Sequence, residues 1–128
     1  MGITAIIAIF CGAGLGALLR YWLGLMFNSV FPTLPLGTLA ANLLGGLLMG
    51  IALGAFAHYR TLPAEVQLMI GTGFLGGLTT FSTFSAEATN LLLRQQYMWF
   101  AGHVAVHVVG SITMTIVGMA LIRTLLRA

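Results

Sequence analysis

Four apolar stretches, each long enough to cross a lipid bilayer, limit what this chain can fold into. A membrane-spanning helix needs about 20 apolar residues, and the bilayer core offers no water to an exposed backbone. The chain is 59% hydrophobic and only 5% charged, whereas soluble domains carry about 25% charged residues. The sequence therefore predicts an all-α membrane protein, a single transmembrane domain over residues 1–128 with four helices at about 4–27, 36–59, 63–93 and 98–126.

The charged residues and the one cysteine exclude several classes of protein. Five arginines are scattered along the chain and there is no lysine, so the basic cluster typical of nucleic-acid binding is missing and no such partner is expected. The sequence suggests no pair of carboxylates, nucleophile–base couple or metal-ligand cluster, which argues against an enzyme. Cys11 has no second cysteine with which to form a disulfide inside the chain.

A run of hydroxyl side chains interrupts the third apolar stretch. Five of the seven residues from Thr79 to Ser85 are serine or threonine, and Gly73, Gly76 and Gly77 precede them. These residue types weaken a helix, and a stretch of about 30 residues is longer than a straight span needs. We predict that the third helix breaks at this run. Irregular backbone at membrane depth must be buried or line a wet cavity, which marks the run as a functional core.

Two other helices carry polar stripes. A spacing of four residues places Thr38 and Asn42 on one face of the second helix. The same spacing on the fourth helix relates His103, His107, Ser111 and Thr115. Each has an ordinary structural explanation, because an amide can join helices and a hydroxyl can bond to the preceding turn. Phe81 and Phe84 are likewise most often core or lipid contacts. The convergence of three polar segments favours a shared pathway.

Ionisable residues inside the spans are few. Arg20 lies within the first span, where it either extends to the interface or bonds to backbone carbonyls. Glu87 lies near the end of its helix, which disfavours a pump that needs a proton relay at mid-membrane. Passive permeation along hydroxyls, an amide and aromatic rings remains. The positive edge of a phenyl ring can hold a small anion without a fixed cation that would trap it.

The loops give almost no bias for membrane orientation. With four spans, Arg60, Arg123 and Arg127 share one side, and Arg20 and Arg94 lie toward the other. Either other factors set one orientation, or copies insert both ways and pair antiparallel. Four short helices can hardly enclose a pathway, so a dimer is the simplest expected assembly. Glycines at spacing four would allow close helix approach, between subunits or within one. They are Gly12 with Gly16, and Gly46 with Gly50 and Gly54.

Three segments resemble the Fluc (CrcB) family of bacterial fluoride channels. They are Gly-x-x-x-Arg at 16–20, Gly-Thr-Leu-Ala-Ala-Asn at 37–42 and Gly-Phe-Leu-Gly-Gly-Leu-Thr-Thr-Phe-Ser-Thr-Phe at 73–84. The likeness covers essentially the whole chain. It implies a fluoride-selective channel that exports fluoride passively across the bacterial inner membrane and protects against its toxicity. The implied assembly is an antiparallel dual-topology homodimer with two pores at its interface, so that the partners are fluoride, membrane lipid and a second copy.

The resemblance also implies roles for individual residues. Fluoride would pass along Asn42, Phe81, Ser82, Thr83, Phe84, Ser111 and Thr115. The main-chain oxygens of Gly76 and Thr79 would hold a structural sodium ion shared by both subunits. Vestibule or structural roles would fall to Thr38, Arg20, Glu87 and His107.

One residue departs from the family pattern, and two other functions compete. His107 stands where an aromatic such as tyrosine is expected, and a histidine there would add pH dependence near neutrality. A small proton-coupled multidrug transporter of four-helix dual-topology type is the alternative function, but it needs a glutamate in the first helix, where none occurs. A non-transporting scaffold would leave the polar stripes unexplained.

Overall fold

Four hydrophobic segments form a helical bundle, and three of them are uninterrupted. In this computed structural model, which describes residues 2–127, the long helices are α1 (Ile3–Phe27), α2 (Leu36–His58) and α6 (Tyr97–Arg127). Each is long and apolar enough to cross a membrane. The all-helical prediction is confirmed, and the chain is a multi-pass membrane protein. Met1 and Ala128, the ends of the predicted domain, lie outside the described residues.

Short connections join the helices. Pro35 and Pro63 stand immediately before the second and third spans, where a fixed φ near −60° suits helix entry and no N–H is required. The turn at 94–96 is tighter. Gln95 adopts a left-handed φ of 59°, and the N–H of Gln96 donates to the carbonyl of Leu91 at 2.9 Å. This arrangement satisfies a carbonyl at the helix end and reverses the chain in three residues.

The third span is built from several pieces. Helix α3 (Ala64–Leu68) runs through a π-helical segment (Met69–Leu75) into α4 (Gly76–Leu78), and after two extended residues α5 (Phe81–Leu93) completes the crossing. The sequence pattern does not predict the π-helical segment. Wider turns of this kind are rare and occur mostly as local features of α-helices, often near functional sites.

The predicted break in the third span is confirmed, but it is shorter than the hydroxyl run. Only Thr79 and Thr80 are extended, with ψ values of 156° and 115°. Ser82, Thr83 and Ser85 already belong to α5. The reason is local, because the hydroxyl of Thr80 accepts a 3.1 Å hydrogen bond from the N–H of Thr83 and so caps the new helix.

Glycines allow α1 to lie directly against the first half of the third span. A β-carbon on Gly16 would collide with the carbonyl oxygen of Phe74, and one on Gly12 would collide with that of Met69. Gly77 meets the backbone of α1 in the same way from the other side. The two chains therefore touch through their main-chain atoms, with no room for a methyl group.

The most extensive helix contact is between α2 and α6, and it also depends on glycine. A β-carbon on Gly50 would overlap the carbonyl oxygen of Thr115, and one on Gly118 would overlap that of Leu47. Both predicted glycine stripes thus pack helices within one subunit. The sequence leaves open whether these glycines pack helices between subunits or within one, and the structure shows the second.

Two glycines of α1 provide a matched test of this packing. We expect Gly16→Ala to destabilise the protein by about 1–3 kcal/mol, because the methyl group must displace backbone rather than a flexible side chain. Gly14→Ala has nothing within 4 Å of the added carbon. It should be neutral, or stabilising by up to about 1 kcal/mol through helix propensity. Thermal unfolding in detergent measures both, and equal stability of the two variants would contradict the packing described.

Candidate permeation groove

A groove of about 440 Å³ lies where α2, the π-helical segment, the break and α6 meet. Among the described residues that line it, none is Lys, Arg, Asp or Glu. The groove therefore offers hydroxyls, an amide, rings and backbone. The predicted site residues that border it are Asn42, Gly76, Thr79, Phe81, Phe84, His107, Ser111 and Thr115.

The side-chain amide of Asn42 bridges the break in the third span. Its Oδ1 accepts a 2.8 Å hydrogen bond from the N–H of Thr80, and its Nδ2 donates a 3.1 Å bond to the Thr80 carbonyl. Thr80 is buried. In a continuous helix, its N–H would instead bond to the carbonyl of Gly76, four residues earlier. Asn42 replaces the lost partners, so the extended residue is satisfied inside the protein.

The same amide also contacts a histidine. Nδ2 of Asn42 lies 3.0 Å from Nδ1 of His107. Because an amide nitrogen only donates, Nδ1 accepts, and the neutral ring carries its proton on Nε2. This tautomer is assigned from the hydrogen-bond network. Both N–H groups of Asn42 are then engaged within the chain, as the helix-joining interpretation expects. An anion can take a hydrogen bond from Asn42 only by displacing one of these partners.

Four aromatic rings are clustered beside the break. The rings of Phe81 and Phe84 have centroids 5.5 Å apart and are tilted by 59°. Phe84 also lies 4.7 Å from His107 and 5.1 Å from His103, centroid to centroid. Phe84 is buried, whereas Phe81 is 78% exposed on the open side of the groove. One ring is therefore held by the protein, and the other projects from it.

The hydroxyls of Ser111 and Thr115 on α6 differ in whether their proton is free to form a further hydrogen bond. The Thr115 hydroxyl shares its one proton between the carbonyls of Gly46 and Ser111, each 3.0 Å away. This is the back-bonding that the ordinary explanation of the stripe expects, and it also ties α6 to α2. The Ser111 hydroxyl takes part in neither bond, so it can donate into the groove that it lines.

A second crevice, of about 310 Å³, is bordered by Arg20, Thr38 and Thr83. Nε of Arg20 donates a 3.1 Å bond to the carbonyl of Gly77, so this charge in the first span is tied to backbone. The Thr38 hydroxyl donates to Oε2 of Glu87 at 2.6 Å and joins α2 to α5. Glu87 is thereby held by a neutral donor.

Two carbonyls at the break lose the donors that a helix would supply. The N–H of Thr80, which would serve the Gly76 carbonyl, goes to Asn42. The N–H of Thr83, which would serve Thr79, goes to the Thr80 hydroxyl. Gly76 and Thr79 both border the groove. Free carbonyl oxygens are the ligand type that hard cations prefer.

The structure separates the predicted residues into two groups and adds two more. Ser82 is exposed on α5 and Thr83 lines the second crevice, so neither is among the residues bordering the groove. Thr80 and His103 were not predicted as site residues. No sequence signal distinguishes Thr80 from the other hydroxyl residues of its run. The spacing of His103 and His107 places both on one face of the helix, but it does not show that His103 is fully buried.

Comparison with known proteins gives a consistent result. A family model described as "CrcB-like protein, Camphor Resistance (CrcB)" matches residues 7–119. A protein of Nitrosospira multiformis named fluoride-specific ion channel FluC is 56% identical over 125 residues, covering 98% of each chain. Its namesake in Tolumonas auensis is 56% identical over 124 residues, 97% of this chain and 98% of the relative. A third, from Aromatoleum aromaticum, is 52% identical over 118 residues, 92% and 90% of the two chains.

Replacing Asn42 tests whether its amide supports the break. Asn42→Leu keeps the approximate shape but leaves the buried N–H of Thr80 without an acceptor, whereas the Thr80 carbonyl, at the N-cap of α5, keeps the first bond of that helix. We expect a loss of about 1–3 kcal/mol in the free energy of unfolding for the unsatisfied N–H. Asn90→Leu, on the exposed side of α5, is the matched control and should change stability little. Unfolding in detergent measures both, and an unaffected Asn42 variant would mean that the break is held by other contacts.

Proposed function

This chain belongs to the CrcB-like family, and we propose that it is a fluoride-selective channel through which fluoride leaves the cytoplasm passively, across the bacterial inner membrane. The observation that carries the proposal is the groove beside the broken third span. It places two phenyl rings and a free hydroxyl next to a break in a membrane helix. Such a break is costly, and it is tolerated where it is buried in protein or lines a water-filled cavity.

The chemistry of the groove suits a small anion in transit. Its described lining has no Lys or Arg side chain, so no cationic side chain there would bind fluoride too tightly to release it. The edges of Phe81 and Phe84 carry the positive part of the ring quadrupole and can replace part of the ion's hydration shell. The Ser111 hydroxyl can donate a hydrogen bond. Thr115 and Asn42, whose donors are already engaged, shape the path instead, and Ser82 and Thr83 extend it as polar groups beside the rings.

We propose that two copies assemble antiparallel, so that a second chain closes the groove. A single chain leaves the path open to lipid, since Phe81 and Ile112 on its wall are 78% and 58% exposed. Irregular backbone at membrane depth must be shielded from lipid by protein, and a second chain over this wall would supply that cover. With so little charge bias between the loops, both orientations are available to the chain. The glycine stripes, already used within one subunit, are not the contact surface.

We propose that a structural sodium ion binds the free backbone carbonyls of the break, at the centre of the dimer. The carbonyls of Gly76 and Thr79 fit this group, because both lack their helical donors and both border the groove. When bound, sodium would supply a fixed positive charge that satisfies these oxygens and joins the two breaks. In each chain, Asn42 keeps the Thr80 backbone occupied so that these particular carbonyls remain free.

Fluoride efflux from liposomes containing the purified protein tests the proposed function. We expect rapid efflux of fluoride, little of chloride, and no requirement for a proton gradient. Phe81→Ile and Phe84→Ile should each slow the efflux by roughly 2- to 10-fold, because a favourable ring-edge contact is worth about 0.5–1.5 kcal/mol. Phe10→Ile, an equally exposed ring on α1 outside the groove, is the control. Undiminished flux in both groove variants would remove the rings from the pathway, and proton-linked efflux would favour the multidrug-transporter alternative.

Cysteine labelling tests the antiparallel assembly. In a Cys11→Ser background, Ser29→Cys places one thiol in the exposed 28–35 loop and Thr61→Cys places one in the opposite loop. An impermeant maleimide added to intact cells should label about half of either variant, and the rest should react only after lysis. Full labelling of one variant with none of the other would establish a single orientation and overturn dual topology.

A further inference from the structure

Two buried histidines and a partly buried glutamate beside the rings have polar atoms without good hydrogen-bond partners. Within residues 2–127, four buried side-chain nitrogen or oxygen atoms lack a hydrogen bond of good geometry, and all of them belong to Glu87, His103 and His107. They are Oε1 of Glu87, both ring nitrogens of His103 and Nε2 of His107. His103 is completely buried and His107 is 4% exposed. Poorly paired polar atoms at this depth are costly, so a ligand shared by the cluster would be stabilising.

The geometry points to a divalent transition-metal ion, and we propose that these three residues form a zinc-type site. One ligand atom from each lies within 4.8 Å of the others, and Nε2 of His103 is already 3.4 Å from Oε1 of Glu87. Around tetrahedral zinc, with bonds near 2.0–2.1 Å, ligand atoms stand about 3.4 Å apart. Ligand atoms that are now up to 4.8 Å apart would have to approach one another by at most about 1.4 Å to reach this spacing.

The donor set selects the class of metal. Two imidazoles and one carboxylate suit zinc, cobalt and nickel, whereas magnesium and calcium prefer oxygen ligands throughout. The second carboxylate oxygen of Glu87 is oriented by the Thr38 hydroxyl, at 2.6 Å, which is the outer support that ligating side chains typically have. Water would fill the fourth position.

The site lies close to one end of the helices that carry it. Glu87 lies six residues before the end of α5 at Leu93, and His103 lies six residues after the start of α6 at Tyr97. At 1.5 Å per residue, both are about 9 Å from the tight turn that joins these helices. The Glu87 side chain is 15% exposed, so it is the member of the cluster that an entering ion would meet first.

Metal binding would act on the groove through His107. In the absence of metal, Nδ1 accepts from Asn42 and the ring proton resides on Nε2. A metal ion that takes Nε2 requires the proton on Nδ1, which then faces an amide donor and loses that hydrogen bond. It also fixes a positive charge beside Phe84, where a passing anion would be held. Zinc should therefore slow fluoride movement.

Cobalt and zinc test the site directly. Co²⁺ added to the purified wild-type protein should give the visible absorption of a tetrahedral nitrogen–oxygen site, and Zn²⁺ should abolish it by competition. His103→Gln should weaken Co²⁺ binding by at least about tenfold, since even an outer-shell change commonly has that effect. His58→Gln, at the exposed end of α2, is the matched histidine control and should bind like wild type. If His103→Gln does not assemble, Glu87→Gln is the second variant and should also lose binding.

Fluoride efflux from liposomes gives the second readout. Micromolar Zn²⁺ should slow efflux by wild type and by His58→Gln, EDTA should reverse the effect, and Mg²⁺ should do nothing. Absence of Co²⁺ absorption in the wild type, or equal absorption in His103→Gln, would overturn the site. Because the absorption does not depend on transport, its result stands even if the protein fails to conduct fluoride.

Discussion

The paired hydrogen bonds between the Asn42 amide and the Thr80 backbone are the interaction on which the groove depends. A membrane helix can be interrupted only if the peptide groups that leave it find partners inside the protein. Asn42 supplies an acceptor and a donor to the same residue, at 2.8 and 3.1 Å. In doing so it diverts the Thr80 N–H from the Gly76 carbonyl. The amide therefore stabilises the break and leaves a carbonyl free beside it.

This arrangement requires close contact between helices, which the glycines provide. The Asn42 side chain is short, so α2 must lie near the broken span for its amide to reach the backbone. On one side, α1 supports the π-helical segment through direct main-chain contact at Gly16. On the other, α6 lies against α2 at Gly50 and Gly118. A methyl group at any of these positions would separate the helices that hold the groove together.

The groove has no acidic or basic side chain in its described lining, whereas charged side chains lie close to it. Arg20 is tied to the Gly77 carbonyl, and Glu87 is held by Thr38, so both ionisable groups contact the break or its neighbours without lining the groove. In the proposed channel, the rings and hydroxyls that line the groove would interact with an anion weakly enough to let it leave. The two histidines beside Phe84 are different, because their ring nitrogens bring titratable groups close to the groove.

Much of the architecture was predictable because the bilayer restricts it. The lengths of the apolar stretches determine four crossings, the crowding of serine, threonine and glycine locates the weak point of the third, and the motif around residues 73–84 identifies the family. The exact break, however, depends on Thr80 rather than on its neighbours, because only Thr80 meets Asn42 across 38 positions of sequence. Local propensity has no information about that partner. Only the packing of the helices shows that the glycines make contacts within one subunit and which hydroxyls are already hydrogen-bonded. It also brings His103, His107 and Glu87 together. These depend on distances between helices, which a pattern along one chain does not contain.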